Sequence, residues 1–203
     1  MIDASVSVII PAYNEGASIR RAVETVYAFL KGAFSDFEII VVDDGSTDST
    51  AVQIQSLLPR VPFQVIHNPV NKGKGYSIRR GVERAEKDYV FFCDADLSTP
   101  LEELTGFFRY FAAGYDIVIG SRALPGSRLA VKQGLLRRSL GKGFNLFLRC
   151  FLFGGIRDTQ CGFKCFKREH ARRLFALQTV DRFCFDAEVL YIARRRGLKT
   201  KET

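Results

Sequence analysis

The chain has 203 residues, enough to bury one hydrophobic core, and its 47% apolar and 26% charged residues are ordinary for a globular protein. The net charge of +8 indicates an anionic partner, which charge alone cannot identify as nucleic acid, acidic membrane or polyphosphate. Basic residues interleave with acids and no DNA- or RNA-binding signature occurs, so a nucleic-acid-binding module is the less favoured hypothesis and no nucleic-acid partner is expected.

The cysteine count and the hydropathy pattern exclude further classes. Five scattered cysteines indicate reduced thiols, and neither histidine completes a zinc spacing with the pair Cys161 and Cys165. No apolar run is long enough to cross a bilayer. The chain stops at "GLKTKET" without an obvious terminal element, which we take as the sign of a fragment of a longer protein.

Apolar, strand-like segments alternate with amphipathic segments from the N-terminus onward. The predicted strands are, in order, "VSVIIPAY", "FEIIVVDD", "FQVIHN", "DYVFFCDAD" and "YDIVIGSR". The predicted helices run from Gly16 to Leu30, from near Asp48, from about Gly75 to Ala85 and from Leu101 to Ala112. Strands that are apolar along their whole length and separated by helices predict an α/β fold, with a mostly parallel central sheet and helices on both faces.

Polar residues follow each of the first four predicted strands, in "PAYNEG", "DDGSTDS", "NPVNKGKG" and "DADLSTP". Ligands of open α/β sheets bind outside the carboxyl ends of the strands, so one crevice should collect these segments. Neither the glycine pattern of a dinucleotide site nor a complete P-loop is present. A diphosphate would then be held through a divalent metal: if the backbone stays extended, Asp94 and Asp96 share one side of the strand end, and Mg²⁺ or Mn²⁺ prefers such oxygen ligands. For an isolated Asp-x-Asp the alternative is that the acids merely end a strand and cap the next helix.

Five segments in order, "SVIIPAYNEG", "VVDDGSTDST", "NKGKGYSIRRG", "DADLSTP" and "GSR", resemble the family 2 glycosyltransferases, which use nucleotide sugars and have the GT-A fold. The string "GIRDTQCGFKCFKRE" followed by "FDAEVLYIA" is similar to the dolichyl-phosphate β-glucosyltransferase branch and to other polyprenyl-phosphate glycosyltransferases. The resemblance implies a single GT-A catalytic domain over 1–203, with a nucleotide-sugar-binding half at 1–122 and an acceptor-binding half at 123–203. It implies inverting transfer of a hexose, foremost glucose from UDP-glucose, to a polyprenyl phosphate at the cytoplasmic face of a membrane. The alternatives are another donor, such as GDP-mannose, or a soluble saccharide acceptor.

The resemblance also implies where the donor binds. Pro11, Tyr13 and Glu15 would line the nucleoside pocket, and Asp44 at the second strand end would contact the base or ribose. Tyr13 offers a stacking face, and a carboxylate accepts hydrogen bonds from base N–H groups or ribose hydroxyls. The other expected nucleotide-sugar ligands are Asp43, which is equally well explained as a turn carboxylate, Lys72, Lys74, Asp94, Ala95, Arg122 and Gln160; the metal ligands would be Asp94 and Asp96.

The acceptor side completes these expectations. A lipid phosphate is already mostly anionic at neutral pH, with a second ionisation near pH ~6 by analogy with phosphorylated side chains, so the need for a strong base is weak. Asp158 is the preferred base or orienting group, ahead of Asp186 and Glu188, which on a helix could simply flank a packed face. The stretch from Arg137 to Phe151 combines cations with an apolar stripe at helical spacing, which is typical of an interfacial membrane element and also of an ordinary core helix. Its expected acceptor and membrane contacts are Arg137, Arg138 and Arg149.

Overall fold

A seven-stranded mixed sheet forms the centre of the molecule in a computed structural model that describes residues 1–121 and 156–203. The strands are β1 (Ile2–Ala12), β2 (Phe34–Asp43), β3 (Gln64–His67), β4 (Tyr89–Phe92), β5 (Ile117–Ile119), β6 (Lys164–Lys167) and β7 (Thr200–Glu202). The helices in this part of the chain are α1 (Ile19–Ala33), α2 (Thr50–Leu57), α3 (Lys74–Arg84), α4 (Glu103–Ala112), α5 (Arg168–Ala176) and α6 (Phe185–Arg195).

The strands lie in the order β3-β2-β1-β4-β6-β5-β7. β1 pairs in parallel with β2 and β4, β2 pairs in parallel with β3, and β7 pairs in parallel with β5. β6 runs antiparallel between β4 and β5. The mostly parallel sheet expected from the sequence is confirmed. Strands from both expected halves of the chain share this one sheet, while the functional division into halves stays a prediction.

Alternate residues of the central strands face two separate cores, as a fully covered sheet requires. Val8 and Ile10 of β1 pack with α1, α2 and α4, whereas Ile9 packs on the other face with α3, α5 and α6. The neighbouring residues Phe91 and Phe92 of β4 divide between the two faces in the same way. Full burial of such side chains stabilises the fold by about 1.5–3 kcal/mol each, so the apolar strands fix the sheet and hence the positions of their carboxyl ends.

The five strands and four helices expected in the first 121 residues are all present. β6 and β7 were not expected from the sequence. β6 carries a lysine at each end, and β7 is a charged strand of three residues at the sheet edge, so neither has the apolar run that identifies a buried strand. No helix within residues 1–121 and 156–203 is long and apolar enough to cross a membrane.

Candidate active site

The loops after β1 and β2 are joined by the hydroxyl-rich segment that follows β2. The backbone N–H of Asn14 donates to Ser46 Oγ at 3.0 Å. The Asp48 carboxylate accepts from the N–H of Gly16 at 3.0 Å and from the N–H of Thr50 at 2.9 Å, so it ties the first loop to the start of α2. The hydroxyl of Thr50 also donates to Asp48 and, with these N–H groups, holds the pKa of that carboxyl below its ordinary value. The hydroxyls of this segment therefore shape the two strand-end loops.

Asp43, at the end of β2, is buried and holds a turn. One of its oxygens accepts the N–H of Ser46 at 3.0 Å, and the other lies 3.0 Å from Nδ1 of His67 at the end of β3. Between them, Gly45 adopts a φ of 70°, and a Cβ there would lie 2.6 Å from the carbonyl carbon of Val70. Only glycine fits this close approach without strain. These contacts are those of a turn carboxylate, the alternative that the sequence left open for Asp43.

Both oxygens of the buried Asp44 accept hydrogen bonds from the loop after β3. The donors are Nδ2 of Asn68 at 2.8 Å, Nδ2 of Asn71 at 3.0 Å, the N–H of Lys72 at 3.0 Å and the N–H of Gly73 at 2.7 Å. Four donors fill the usual acceptor capacity of a carboxylate. Asp44 thus orders the loop that carries "NKGKG", and a direct contact between Asp44 and a nucleoside stays a prediction.

Lys74, the first residue of α3, faces the carboxylate of Asp94 after β4. Lys74 Nζ lies 2.5 Å from Asp94 Oδ1. Burial alone would lower the pKa of Lys74, but the carboxylates of Asp94, Asp186 and Asp96 together raise it, so its ammonium stays charged. Gly162 packs directly behind this pair, because a Cβ on it would lie 2.5 Å from Asp94 Oδ2 and 3.2 Å from Lys74 Nζ. Three segments far apart in sequence therefore meet at one ion pair.

A second, buried ion pair lies next to the first. Lys164 of β6 is 1% exposed, and its Nζ lies 2.6 Å from Asp186 Oδ1 at the start of α6. The same ammonium donates to the carbonyl of Cys161 and lies 5.8 Å from the centre of the Phe92 ring. Because Asp186 also acts electrostatically on Lys74, cations and carboxylates alternate through Lys164, Asp186, Lys74 and Asp94.

Two clefts flank the loop that joins β4 to α4. The smaller, about 60 Å³, is lined by Cys93, Asp94, Leu97, Ser98, Thr99, Gln160, Cys161, Gly162 and Phe163. Gln160 is one of these lining residues, and in the described part of the chain its buried Nε2 has no hydrogen-bond partner. The larger, about 390 Å³, lies between α1 and the loop and is lined in part by Arg21, Ala95 and Asp96. The two clefts meet at Leu97 and Thr99.

Asp158 is buried beside the smaller cleft, and its backbone is held from the edge of the sheet. Glu202 of β7 accepts the N–H of Arg157 at 2.9 Å on one oxygen and the N–H of Asp158 at 2.8 Å on the other. Asp158 Oδ1 in turn accepts the N–H of Gln160 at 3.2 Å, which places the lining residue Gln160 relative to Asp158. The sequence string "RDTQCG" is therefore folded as one unit against Asp94 and Lys74.

The remaining residues expected at the site differ in placement. Tyr13 is 46% exposed at the end of β1, with Pro11 and Glu15 partly buried beside it. The carboxylate of Glu188 binds the backbone before α6: it accepts the N–H groups of Thr179 and Val180, each at 2.9 Å. Its catalytic role stays a prediction without support from this geometry. The expected ligands that lie outside the described residues are Arg122, Arg137, Arg138 and Arg149.

Sequence reasoning missed two residues that hold the site together, Lys164 and Glu202. Lys164 had a detectable signal: a lysine enclosed by Phe163, Cys165 and Phe166 needs a buried anionic partner if that segment is a strand. Glu202 gave no signal, since it lies in a short polar segment and acts only through contacts made by folding. Its partners are 44 and 45 positions away.

Asp94 and Asp96 are the carboxylates that the sequence predicts as metal ligands. Asp96 is exposed and one of its oxygens accepts the N–H of Ser98 at 3.0 Å, which leaves the other oxygen toward solvent. Within residues 1–121 and 156–203 no group of three or more His, Cys, Asp or Glu side chains could hold a metal ion by itself. Burial and the neighbouring Asp94 raise the pKa of the Cys93 thiol, which disfavours its thiolate form. Two carboxylates fit a Mg²⁺ or Mn²⁺ ion that takes its other ligands from substrate phosphates and water.

Comparison with known proteins agrees with the expected fold and family. The chain is 35% identical to a dolichyl-phosphate beta-glucosyltransferase of Dictyostelium discoideum over 97% of this chain and 64% of the relative. It is 34% identical to the human protein of that name over 93% of this chain and 62% of the relative. The chain thus spans less than two thirds of the length of these curated relatives.

Among solved structures, the glucosyl-3-phosphoglycerate synthase of Mycobacterium tuberculosis in complex with phosphoglyceric acid superposes with a TM-score of 0.72. That match has 23% identity and covers 98% of this chain and 69% of the synthase. A second structure of the synthase, in complex with Mn²⁺, UDP and glucosyl-3-phosphoglycerate, superposes with a TM-score of 0.70 at 22% identity, over 98% of this chain and 69% of the synthase. At these identities the likeness shows the fold alone, and it confirms the GT-A class.

The family model described as glycosyl transferase family 2 matches residues 7–175, most of the chain and all four strand-end loops. With the relatives above, this confirms the family expected from the five ordered motifs: the chain belongs to glycosyl transferase family 2.

Proposed function

We propose that the protein transfers a hexose, most simply glucose from UDP-glucose, to a dolichyl or other polyprenyl phosphate. The observation that carries the proposal is the meeting of Asp94, Lys74, Gly162 and Gln160 at the carboxyl ends of the strands, where Gln160 Nε2 has no hydrogen-bond partner among the described residues. The curated relatives are named for glucosyl transfer to dolichyl phosphate, and the similar synthase structures contain UDP, UDP-glucose and Mn²⁺.

The donor would lie across the strand ends, with its nucleoside toward Tyr13 and its diphosphate toward Lys72 and Lys74. Tyr13 is exposed enough to stack on a base. Lys74 is a charged ammonium at the start of α3, where a helix N-terminus also favours anions. Asp44 keeps the backbone of this loop in place, so we assign it the role of positioning the diphosphate segment, with a nucleoside contact as the further expectation.

Asp94 and Asp96 would hold a divalent cation, which when bound neutralises charge on the leaving diphosphate. Lys74 is paired with one oxygen of Asp94. The diphosphate offers Lys74 a second anionic partner, and Gln160 can donate a hydrogen bond to a sugar hydroxyl or phosphate oxygen. These residues bind and orient the donor, and the larger cleft beside Asp96 offers further room for it.

The acceptor phosphate is the nucleophile, and its oxygen attacks the anomeric carbon as the bond to the diphosphate breaks. Because that phosphate is already an anion, Asp158 is needed chiefly to orient it and to take any remaining proton. Asp186 is committed to Lys164 in the buried pair, so it acts on the site through the charge of Lys74. Inverted configuration at the sugar follows from one displacement.

The test is a donor screen against a polyprenyl phosphate, with release of nucleoside diphosphate as the readout. UDP-glucose should be the best donor, and GDP-mannose should give little release. A soluble saccharide in place of the lipid phosphate should give none; efficient transfer to it would replace this proposal with the soluble-acceptor alternative.

Asp96→Asn is the matching variant, because a neutral amide holds a divalent cation poorly against water. Turnover should fall to background while the unfolding midpoint stays near wild type, since Asp96 is exposed. EDTA should have the same effect on the wild type, reversed by Mn²⁺ or Mg²⁺. Full activity of the variant, or of the wild type in EDTA, would exclude the metal role.

A further inference from the structure

Phe183 is 83% exposed, more than any other described large apolar side chain except that of Met1. It stands between Arg182, which is exposed, and Cys184, whose φ of 75° turns the chain into α6. That turn sends Phe185 into the core, where it is 1% exposed, and leaves Phe183 outside. Val70, in the loop after β3, is 56% exposed.

These two loops touch each other. Arg182 Nη1 donates to the side-chain oxygen of Asn71 at 3.3 Å, and a Cβ on Gly73 would lie 2.7 Å from Arg182 Cγ. Val70 precedes Asn71 in sequence and Phe183 follows Arg182, so each lies next to one partner of this contact. We call the four exposed residues Val70, Lys72, Arg182 and Phe183 the rim surface, because they border the "NKGKG" loop.

Both loops of the rim surface are held in place by hydrogen bonds to the residues beneath them, Asp44 after β2 and Tyr76 and Arg79 of α3. Asp44 binds the backbone of Lys72 and Gly73, as described above. On the other side, Arg79 donates to Asp181 Oδ1 at 2.8 Å, and the carbonyl of Asp181 accepts the N–H of Tyr76 at 2.9 Å. A side chain held out by an anchored loop loses little further backbone freedom when it binds, which favours binding.

The charge of the rim surface is positive. Neither Lys72 nor Arg182 forms an ion pair within residues 1–121 and 156–203. Of the nearby acids, Asp181 is paired with Arg79, and the buried Asp44 already accepts four hydrogen bonds. An aromatic and a β-branched side chain in the same two loops as two cations match an anionic bilayer surface, whose headgroups attract cations and whose acyl boundary takes aromatic rings. Two apolar side chains are too few for a stable protein interface, which needs roughly 800 Å² on each partner.

We propose that the rim surface contacts an anionic lipid bilayer, with Phe183 inserted at the headgroup boundary. This contact would bring the loop that carries Lys72 and Lys74 to the membrane, where a polyprenyl phosphate has its headgroup. In this respect the inference rests on the proposed function. It assigns membrane contact to described residues that are separate from the segment containing Arg137, Arg138 and Arg149.

The chain has no tryptophan, so a single introduced indole reports on its own surroundings. Phe183→Trp should shift its fluorescence emission to shorter wavelength when phosphatidylcholine vesicles containing phosphatidylserine are added. Val52→Trp is the matched control, because Val52 is 68% exposed on α2, which packs on the opposite face of the sheet. The control should show no shift. Equal shifts at both positions, or none at position 183, would overturn the proposal.

Sedimentation with the same vesicles tests the energetics. Phe183→Ser should weaken binding about tenfold, as expected when one aromatic ring no longer leaves water. Arg182→Gln should weaken binding about fivefold on vesicles with phosphatidylserine and leave binding to phosphatidylcholine alone unchanged. Val52→Ser should bind as wild type. If Phe183→Ser binds as wild type, Phe183 does not meet the bilayer.

Transfer to a short-chain, water-soluble acceptor phosphate is measured in parallel. If wild-type protein transfers glucose to it while the emission of Trp at position 183 is unmoved, the membrane inference fails and the proposed function stands. If the emission shifts while no donor and acceptor pair reacts, the proposed function fails and the surface assignment stands. Capture of oligonucleotide by the rim surface in place of vesicles would contradict the inference in favour of a nucleic-acid partner.

Discussion

Lys164 and Asp186 form a buried ion pair, and at the scale of single residues such a pair is stable only while both partners are present. Lys164→Met would leave the Asp186 carboxylate buried without its cation, which costs about 3–5 kcal/mol of unfolding free energy. Urea unfolding measures this loss. The double variant Lys164→Met with Asp186→Leu should recover most of it, because both charges are then removed.

The matched control for this pair is Lys87→Met. Lys87 lies 2.6 Å from Asp36 on the surface, where both side chains meet water, so its loss should change stability by about 0–1 kcal/mol. If Lys164→Met lowers the free energy of unfolding no more than Lys87→Met does, the pair of Lys164 and Asp186 is accessible to water. Asp186 would then not be the buried carboxylate that acts on the charge of Lys74.

Tyr13 and Asp44 were expected to serve one ligand, but their surroundings predict different consequences of mutation. Tyr13→Ala removes an exposed ring, so it should weaken UDP binding by about 1–3 kcal/mol with little change in the unfolding midpoint. Asp44→Ala removes the acceptor of four hydrogen bonds, so it should weaken UDP binding by a similar ~1–3 kcal/mol and also lower stability. Calorimetric titration with UDP and urea unfolding separate the two effects. Unchanged UDP affinity in both variants would remove the strand-end loops from the nucleoside site.

At the scale of elements, the sequence predicted those that carry an apolar pattern and missed those that do not. β1, β2 and β4 were recognisable because each contains an unbroken run of buried residues, which face one or the other of the two cores. β6 was hidden because Lys164 stands where an apolar residue is expected, and the charge of Lys164 is compensated by a carboxylate from the distant α6. The loops at the ends of the first four strands could thus be located from sequence. The inward packing of "RDTQCGFK" could not, because it depends on an antiparallel strand that the pattern does not reveal.

Gly162 lies where the end of β4 meets the start of β6. Gly162→Ala places a methyl group 2.5 Å from Asp94 Oδ2 and 3.2 Å from Lys74 Nζ, so the ion pair must shift. Turnover should fall at least about tenfold, which is ~1.4 kcal/mol at the transition state, and donor affinity should fall with it. Gly106→Ala in α4 is the control, since a Cβ there meets nothing within 4 Å, and it should raise stability by up to about 1 kcal/mol. Wild-type kinetics in Gly162→Ala would mean that Asp94 can move without a change in turnover or donor affinity.

At the scale of the whole molecule, the sheet is what brings the site together, because its strand order sets residues from both ends of the chain side by side. The ordered motifs predicted the fold class, which is confirmed, while the side of the sheet where the donor binds stays a prediction. They could not predict that the edge strand β7 holds Asp158, since that contact follows from the position of β7 beside β5 rather than from any local pattern. Contacts between residues far apart in the chain, such as that of Glu202 with the backbone of Asp158, are the part of a site that is hardest to predict from a single sequence.

Glu202 therefore makes the most direct test of how far the sheet edge acts on the chemistry. Its carboxylate accepts two backbone N–H groups, and in Glu202→Gln an amide N–H₂ replaces one of the two acceptors, so the backbone at Arg157 and Asp158 must move. If Asp158 orients the acceptor, kcat should fall about tenfold, or ~1.4 kcal/mol, while the KM for UDP-glucose changes little. Lys201→Gln, in the same strand but over the ring of Tyr110, is the control and should keep wild-type kcat. A Glu202→Gln variant that unfolds more easily yet turns over at the wild-type rate would show that Glu202 only secures the edge of the sheet, and that the position of Asp158 is set from elsewhere.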